Sequence, residues 1–92
     1  MSTPRRPRIA RRARLRHDAL AGRDVLLYPE RGLALSASAG EILALCDGSR
    51  TVDAIVATLH ERHPEAPLQT IGRDVDELLA ALASRRLVED VP

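Results

Sequence analysis

The sequence of 92 residues contains no tryptophan, no phenylalanine and no lysine, and Tyr28 is its single aromatic residue. Its core must therefore be built from 24 Ile, Leu and Val side chains, with 14 Ala residues among them. Full burial of a large aliphatic side chain is worth about 1.5–3 kcal/mol, whereas ordering each residue costs about 1.5 kcal/mol. We therefore expect one small, marginally stable domain that a partner or a second copy would help to stabilise.

Cysteine and long apolar runs are also scarce. The single cysteine, Cys46, excludes an internal disulfide and a zinc site built from four cysteines. No apolar run approaches the ~18 residues of a membrane span, so we expect no membrane partner. The basic N-terminus is not followed by an apolar stretch and does not resemble a secretory signal. These absences make the cytoplasm the expected compartment.

Positive charge is concentrated at the N-terminus. Residues 1–16 contain seven arginines and no acid, whereas the remainder contains seven arginines against 13 acids, so the net charge of +1 combines +7 with −6. Like charges and prolines oppose local folding, and we expect residues 1–14 to form a flexible Arg-rich arm before a folded domain over residues 15–90. The alternative is an arm that folds back on the acidic body or contacts an acidic partner.

Short apolar segments in the first half of the chain predict strands. Residues 25–28 and 33–35 are apolar and are separated by Pro29 and Gly32, which indicates a β-hairpin over residues 24–36. In this interpretation the glycine is available for a positive φ in the turn. A weaker alternation of apolar and polar residues just before the hairpin suits another strand.

The second half of the chain predicts three helices. Ser36 or Ser38 can cap a first helix that ends at Gly48, and Thr51 can cap a second. A third helix over about residues 70–84 carries large aliphatic side chains on one face. These side chains are Ile71, Val75, Leu78, Leu79 and Leu82. Strands followed by three helices with tight turns predict an α+β fold with a helix-turn-helix-like core.

No arrangement of residues indicates catalysis or a metal site. His60 and His63 could lie on one side of a helix end, but together with Cys46 they do not form a recognised zinc-ligand spacing. The cysteine lies in an apolar segment, where burial as a small hydrophobic residue is expected. We therefore expect no enzyme activity, no metal and no cofactor.

The helix-turn-helix-like core raises the question of DNA binding, in which the last helix enters the major groove. The polar face of the third helix instead presents Asp74, Asp76 and Glu77 against Arg73, and carboxylates repel phosphates. A small winged-helix-like nucleic-acid binder acting through the Arg-rich arm is therefore the second hypothesis. The favoured one is a module in which a peptide adds to the short strand at residues 33–35, beside the third helix. Whether the aliphatic residues of that helix line a groove or all belong to the core stays open.

Three motifs, in this order and spacing, resemble the PqqD family of peptide chaperones in pyrroloquinoline quinone (PQQ) biosynthesis. The motifs are LLYPERG at 26–32, ILALCDGSRTV at 42–52 and DVDELL at 74–79. The resemblance extends over about residues 15–88. The chain departs from the family pattern at Ser36, where Asn or a similar residue is usual, and at Arg86, where Gly is usual.

The resemblance implies a three-stranded antiparallel sheet followed by three helices, similar to a winged helix-turn-helix. It implies that the chain binds the precursor peptide PqqA by strand addition and presents it to the radical S-adenosylmethionine enzyme PqqE, which carries the cofactor chemistry. The peptide-binding residues it implies are Leu33, Ala34, Leu35, Val75, Leu78, Leu79 and Leu82. On this basis we expect Leu35→Pro to remove an edge donor and weaken peptide binding. A homodimer, the third hypothesis, is compatible with such a function.

Overall fold

The structure, a computed structural model, describes residues 5–29 and 31–91. The elements in chain order are β1 (Pro7–Ile9), β2 (Arg14–Asp18), β3 (Arg23–Tyr28), β4 (Arg31–Ala34), α1 (Ala37–Ala44), α2 (Val52–Arg62), α3 (Leu68–Ser84) and β5 (Val88–Asp90). Strands β2, β3 and β4 form an antiparallel sheet with β3 in the middle, and β1 pairs with β5 in a separate antiparallel sheet. The predicted α+β class, with its three-stranded antiparallel sheet and three helices, is confirmed.

One face of the three-stranded sheet packs against the helices. Leu26 in the central strand has no exposed surface, and its cross-strand neighbours Leu15 and Leu33 point to the same side. Helix α1 lies close to this face because Gly40 has no side chain. A Cβ atom at that position would collide with the carboxylate of Asp24 in β3.

The helices begin at capping residues close to those that the sequence indicates. Ser36 is the cap of α1, and its hydroxyl accepts a hydrogen bond from the Ala39 N–H at 3.1 Å. The Thr51 hydroxyl accepts from the Ala54 N–H at 3.1 Å at the start of α2. Helix α3 begins directly after Pro67, slightly earlier than predicted, and has no side-chain cap. Among the described residues, no helix is long and apolar enough to cross a membrane.

The buried core joins the sheet to all three helices. Its largest fully buried aliphatic side chains are Leu26, Leu43, Ile55, Val75, Leu79 and Leu87. They come from the central strand, from each helix and from the segment just before β5. The domain is therefore held together by aliphatic packing, as the scarcity of aromatic residues requires.

The N-terminal segment differs from the expectation of a flexible arm over residues 1–14. The first four residues lie outside the described part of the chain, but residues 5–14 include β1, which pairs with β5 in the antiparallel register. Pro7 in β1 is fully buried. The folded part of the protein therefore begins before residue 15, and the predicted boundary is corrected.

Backbone hydrogen bonds explain why this charged segment is ordered. On the side of β1 away from β5, the Ile9 N–H donates to the Cys46 carbonyl at 3.3 Å, and the Gly48 N–H donates to the Pro7 carbonyl at 3.0 Å. The segment therefore lies between β5 and the connection from α1 to α2. Such long-range pairing leaves no periodic signal in a three-residue strand.

The arginines of this segment also contact the acidic C-terminal strand. Arg5 pairs with Asp90 at 3.2 Å and Arg8 pairs with Glu89 at 3.3 Å, with all four side chains about half exposed. The segment thus folds back on the body of the protein. Since exposed pairs of this kind are worth about 0.2–1 kcal/mol each, the backbone pairing and the buried proline contribute more.

Two glycine predictions have different outcomes. Gly48 has the predicted positive φ of +84 but does not end α1, which stops at Ala44 with Leu45 as its C-cap, and Gly32 is not a turn residue with positive φ. Gly32 lies inside β4 opposite Leu27, and a Cβ atom there would lie 3.2 Å from that side chain. The turn is therefore completed before this glycine and includes Pro29.

Candidate functional site

Strand β4 is an outer strand, and within the described residues it pairs with β3 alone. Residues that exchange hydrogen bonds alternate with residues that do not in an antiparallel pair. The Leu35 N–H donates to the Asp24 carbonyl at 2.9 Å, so the backbone groups of Leu33 also point toward β3. The N–H and C=O groups of Gly32 and Ala34 consequently point away from the sheet and are available to an added strand.

This alternation corrects the expectation that Leu35 supplies an edge donor. Its N–H is already used within the sheet, and its side chain is buried. Leu35→Pro would therefore break a bond between β4 and β3 and would not test the open edge. Ala34, which is exposed, is the position whose N–H faces outward.

The predicted site residues divide into an accessible and a buried group. Leu33 and Leu78 are partly buried and Ala34 is exposed, so these three remain candidates for peptide contact. The buried ones, each with at most 7% of its surface exposed, are Leu35, Val75, Leu79 and Leu82. These four side chains belong to the core and offer a peptide little surface in this conformation, and a role for them in peptide binding stays a prediction.

A groove between α1 and α3 begins next to the end of β4. Its first part, about 290 Å³, includes Ser36 and Leu78, and its second part has a volume of about 380 Å³. Both parts are lined by Ser38, Ile42 and Asp74, so they form one continuous groove. Sequence reasoning missed the α1 side of this groove. The signal was available, because a helix capped at Ser36 must place its first turn beside the end of β4.

The rim of the groove is acidic. The carboxylates that line it belong to Glu41, Glu65, Asp74 and Glu77. Glu41 contacts His63 Nε2 at 2.8 Å and accepts a hydrogen bond from Arg62 Nη1 at 3.3 Å. The His63 hydrogen bond, assisted by Arg62, holds the pKa of Glu41 below its ordinary value although partial burial opposes this. The groove therefore presents negative charge and suits a guest with an apolar side chain and cationic neighbours.

Cys46 has a structural role. Its thiol is buried and donates to the Ile42 carbonyl at 3.3 Å. Burial raises the pKa of Cys46 to about 11, and a protonated thiol is neither a good nucleophile nor a metal ligand. In the described ranges, no three His, Cys, Asp or Glu side chains are grouped so that they could hold a metal ion.

Comparisons with known proteins agree on one family. The family model described as "Coenzyme PQQ synthesis protein D (PqqD)" matches residues 24–88. A PqqA binding protein of Rhodopseudomonas palustris (strain TIE-1) is 46% identical over 85 residues, which cover 92% of this chain and 82% of that protein. A PqqA binding protein of Rhizobium meliloti (strain 1021) is 38% identical over 84 residues, which cover 91% of this chain and 85% of that protein.

Two solved structures have the same fold. The solution structure of the PqqD truncation of Methylobacterium extorquens PqqCD has a TM-score of 0.78 and 38% identity, and covers 90% of this chain and 87% of that chain. That protein is a stand-alone recognition element for ribosomally synthesised and post-translationally modified peptides. TbiB1 in complex with the TbiA(beta) leader peptide has a TM-score of 0.76 at 23% identity, with 92% and 98% of the chains covered, and supports the fold alone.

These relatives are named as binding proteins and recognition elements rather than as catalysts. The family model spans more than half of the sequence, and the Rhodopseudomonas relative is matched over most of both chains. The chain therefore belongs to the PqqD family.

Proposed function

We propose that this chain is a non-catalytic peptide chaperone of PQQ biosynthesis, which binds a precursor peptide of the PqqA type and presents it to the radical S-adenosylmethionine enzyme PqqE. The observation that carries the proposal is the open β4 edge beside the groove between α1 and α3, in a chain of the PqqD family. The names of the curated relatives as PqqA binding proteins support the choice of guest.

In this proposal the peptide adds to the sheet as a strand along β4. Its backbone pairs with the outward groups of Gly32 and Ala34, and every second side chain turns toward the groove beside Leu78. A residue that follows the paired segment reaches the deeper part of the groove between Ile42 and Ala66. The acidic rim favours Lys or Arg next to the apolar residue that enters the groove.

Calorimetric titration with a synthetic PqqA peptide tests whether the chain binds it, and the Ala34→Pro variant tests whether the peptide binds by strand addition along β4. A proline is tolerated at an edge position whose N–H faces solvent, so the fold should be kept while one donor to the guest is lost. One net hydrogen bond is worth about 0.5–1.5 kcal/mol, which predicts a loss of affinity of up to about tenfold.

The matched control is His17→Pro on the opposite edge of the sheet. His17 is exposed, and its N–H also points away from β3, by the same alternation on β2. The His17→Pro variant should therefore leave the affinity for PqqA unchanged. No heat and no amide chemical-shift change with micromolar protein would contradict the proposal, and unchanged affinity of a folded Ala34→Pro variant would contradict strand addition at β4.

Presentation to PqqE is tested by the rate at which that enzyme modifies the peptide. We expect the wild-type chain to raise this rate and Ala34→Pro to raise it less at the same protein concentration. Equal rates with and without the chain would contradict a presenting role. The homodimer stays a prediction, and light scattering over a dilution series with and without peptide measures it.

A further inference from the structure

Strand β2 forms the second open edge of the three-stranded sheet. Because the Asp24 backbone points toward β4, the neighbouring Val25 backbone points toward β2, where it meets Arg16. The backbone groups of Leu15 and His17 therefore point away from the sheet. No strand pairs with them among the described residues, so this edge can also accept a strand.

The face of the sheet opposite α1 combines arginine and aliphatic side chains. Val25 and Leu27 in β3 are partly exposed on this face, and Arg16 and Arg14 lie directly across from them on β2. Arg23 precedes Val25 by two residues and points to the same side. We call these five residues the arginine face.

An apolar depression lies at one end of the arginine face. Leu20, in the turn between β2 and β3, is fully exposed, and it lines a depression of about 350 Å³ together with Val25, Leu27 and Arg16. A single exposed leucine needs no explanation. An exposed leucine that is continuous with two other aliphatic side chains and a row of cations is typical of an interaction surface.

The cations of this face are not neutralised within the described part of the protein. No ion pair there includes Arg14, Arg16 or Arg23, although Arg5, Arg8, Arg50 and Arg62 each have an acidic partner within 4.0 Å. The acid on this face, Asp18, accepts hydrogen bonds through its Oδ1 from the N–H groups of Leu20 and Ala21, and its single negative charge is outnumbered by the three arginines. The face therefore attracts an external anion.

We propose that the β2 edge and the arginine face together bind an extended acidic segment of a partner protein, in which carboxylates alternate with aliphatic residues. Strand addition to β2 places every second guest side chain beside Arg14 and Arg16, and the intervening side chains beside Leu15 on the other face. An acidic residue belongs at the first set of positions and an aliphatic one at the second. This surface lies at the opposite edge of the sheet from the proposed PqqA site and is independent of that proposal.

Other occupants fit this surface less well. In an antiparallel pairing of β2 with the β2 of a second copy, arginines would face arginines, and like charges directly opposite are destabilising. Nucleic acid would make no use of the open backbone of Leu15 and His17. An acidic strand satisfies both the charge and the backbone.

The test uses a fluorescein-labelled peptide of alternating Glu and Val residues and the full-length protein. We expect anisotropy to report binding, and the amide shifts of Leu15 and His17 to change more than those of Gly32 and Ala34. Arg14→Glu combined with Arg16→Glu should weaken binding at least about tenfold, since it replaces two attractive cross-strand charge pairs by two repulsive ones. Circular dichroism verifies that this variant is folded.

Arg73→Glu, a single charge reversal on the exposed face of α3, is the control and should leave binding unchanged. Equal binding of a Lys–Val peptide, shifts confined to Gly32 and Ala34, or tighter binding of a single-stranded oligonucleotide than of the Glu–Val peptide would each overturn the proposal. His17→Pro should weaken binding of the Glu–Val peptide and leave PqqA binding unchanged, whereas Ala34→Pro should weaken PqqA binding and leave Glu–Val binding unchanged. Failure of one proposal can therefore be distinguished from failure of the other.

Discussion

Deletion of β1 tests what attaches the N-terminal segment to the rest of the protein. Removal of residues 1–11 eliminates the strand that lies between β5 and the connection from α1 to α2. It also removes Pro7, which is fully buried, and Ile9, which is partly buried against the core. The backbone groups of β5 and of the connection from α1 to α2 that were paired with β1 would then form hydrogen bonds with water.

The expected loss of stability follows from the side chains. The net gain of each backbone hydrogen bond, about 0.5–1.5 kcal/mol, is offset by the cost of fixing each residue, about 1–2 kcal/mol. What remains is the burial of Pro7 and part of Ile9, where a fully buried aliphatic side chain is worth about 1.5–3 kcal/mol. We therefore expect the deletion to lower the free energy of unfolding by about 2–4 kcal/mol, a large part of the roughly 5–15 kcal/mol of a typical domain.

Urea denaturation followed by circular dichroism measures this loss. With a slope of about 1–3 kcal/mol per M, the deletion should lower the midpoint by at least about 0.7 M. The control is the full-length chain with Arg5→Gln and Arg8→Gln, which removes the two half-exposed ion pairs and should cost roughly 0.2–1 kcal/mol for each. A double variant as unstable as the deletion would show that charge holds the segment, and an unchanged midpoint in the deletion would show that β1 contributes nothing.

Three further outcomes follow from single residues. Arg86 has φ +60 at the end of α3, so Arg86→Gly should raise the free energy of unfolding by about 0.5–1 kcal/mol. Arg85 has a negative φ, so Arg85→Gly should lower the free energy of unfolding. Thermal denaturation of the two variants measures both effects. The lowered pKa of Glu41 means that the folded state favours the ionised carboxylate. The contribution of Glu41 to stability is therefore complete above pH 4.5, its ordinary pKa, and is lost as the pH falls through the lowered pKa. The stability difference between wild type and Glu41→Gln should therefore shrink below pH 4.5, and a constant difference would contradict the His63 hydrogen bond as its cause. Cys46, with a pKa of about 11, should react with iodoacetamide at pH 8 only in proportion to the unfolded fraction, and rapid labelling of folded protein would refute this.

Local signals made the helices predictable. A hydroxyl at Thr51 or Ser36 caps the next turn within three residues. These interactions are encoded by neighbours in the sequence. Strand β1 was not predictable in this way, because its partner β5 is at the other end of the chain and its composition favours solvation.

The candidate site shows the same distinction. The apolar stripe on α3 identified a buried face, but Leu78 and Leu79 are both within it and differ in accessibility. Consecutive helical residues are separated by about 100°, so the packing of α2 and α1 decides which of them is covered. Periodicity therefore located the helix that borders the groove and could not select its exposed residue.

The two open edges of the sheet differ in charge, and this has a consequence for simultaneous binding. An acidic rim accompanies β4, and a row of arginines accompanies β2, so neither edge suits the guest of the other. A strand added beside β4 and one added beside β2 would be separated by four strand spacings, about 19 Å. This exceeds the Debye length of about 8 Å at physiological ionic strength, so the charges of the two guests should interact weakly. We therefore expect the Glu–Val peptide and PqqA to bind without competition, each with an affinity within about twofold of its value alone, and mutual displacement would mean that both guests use one edge.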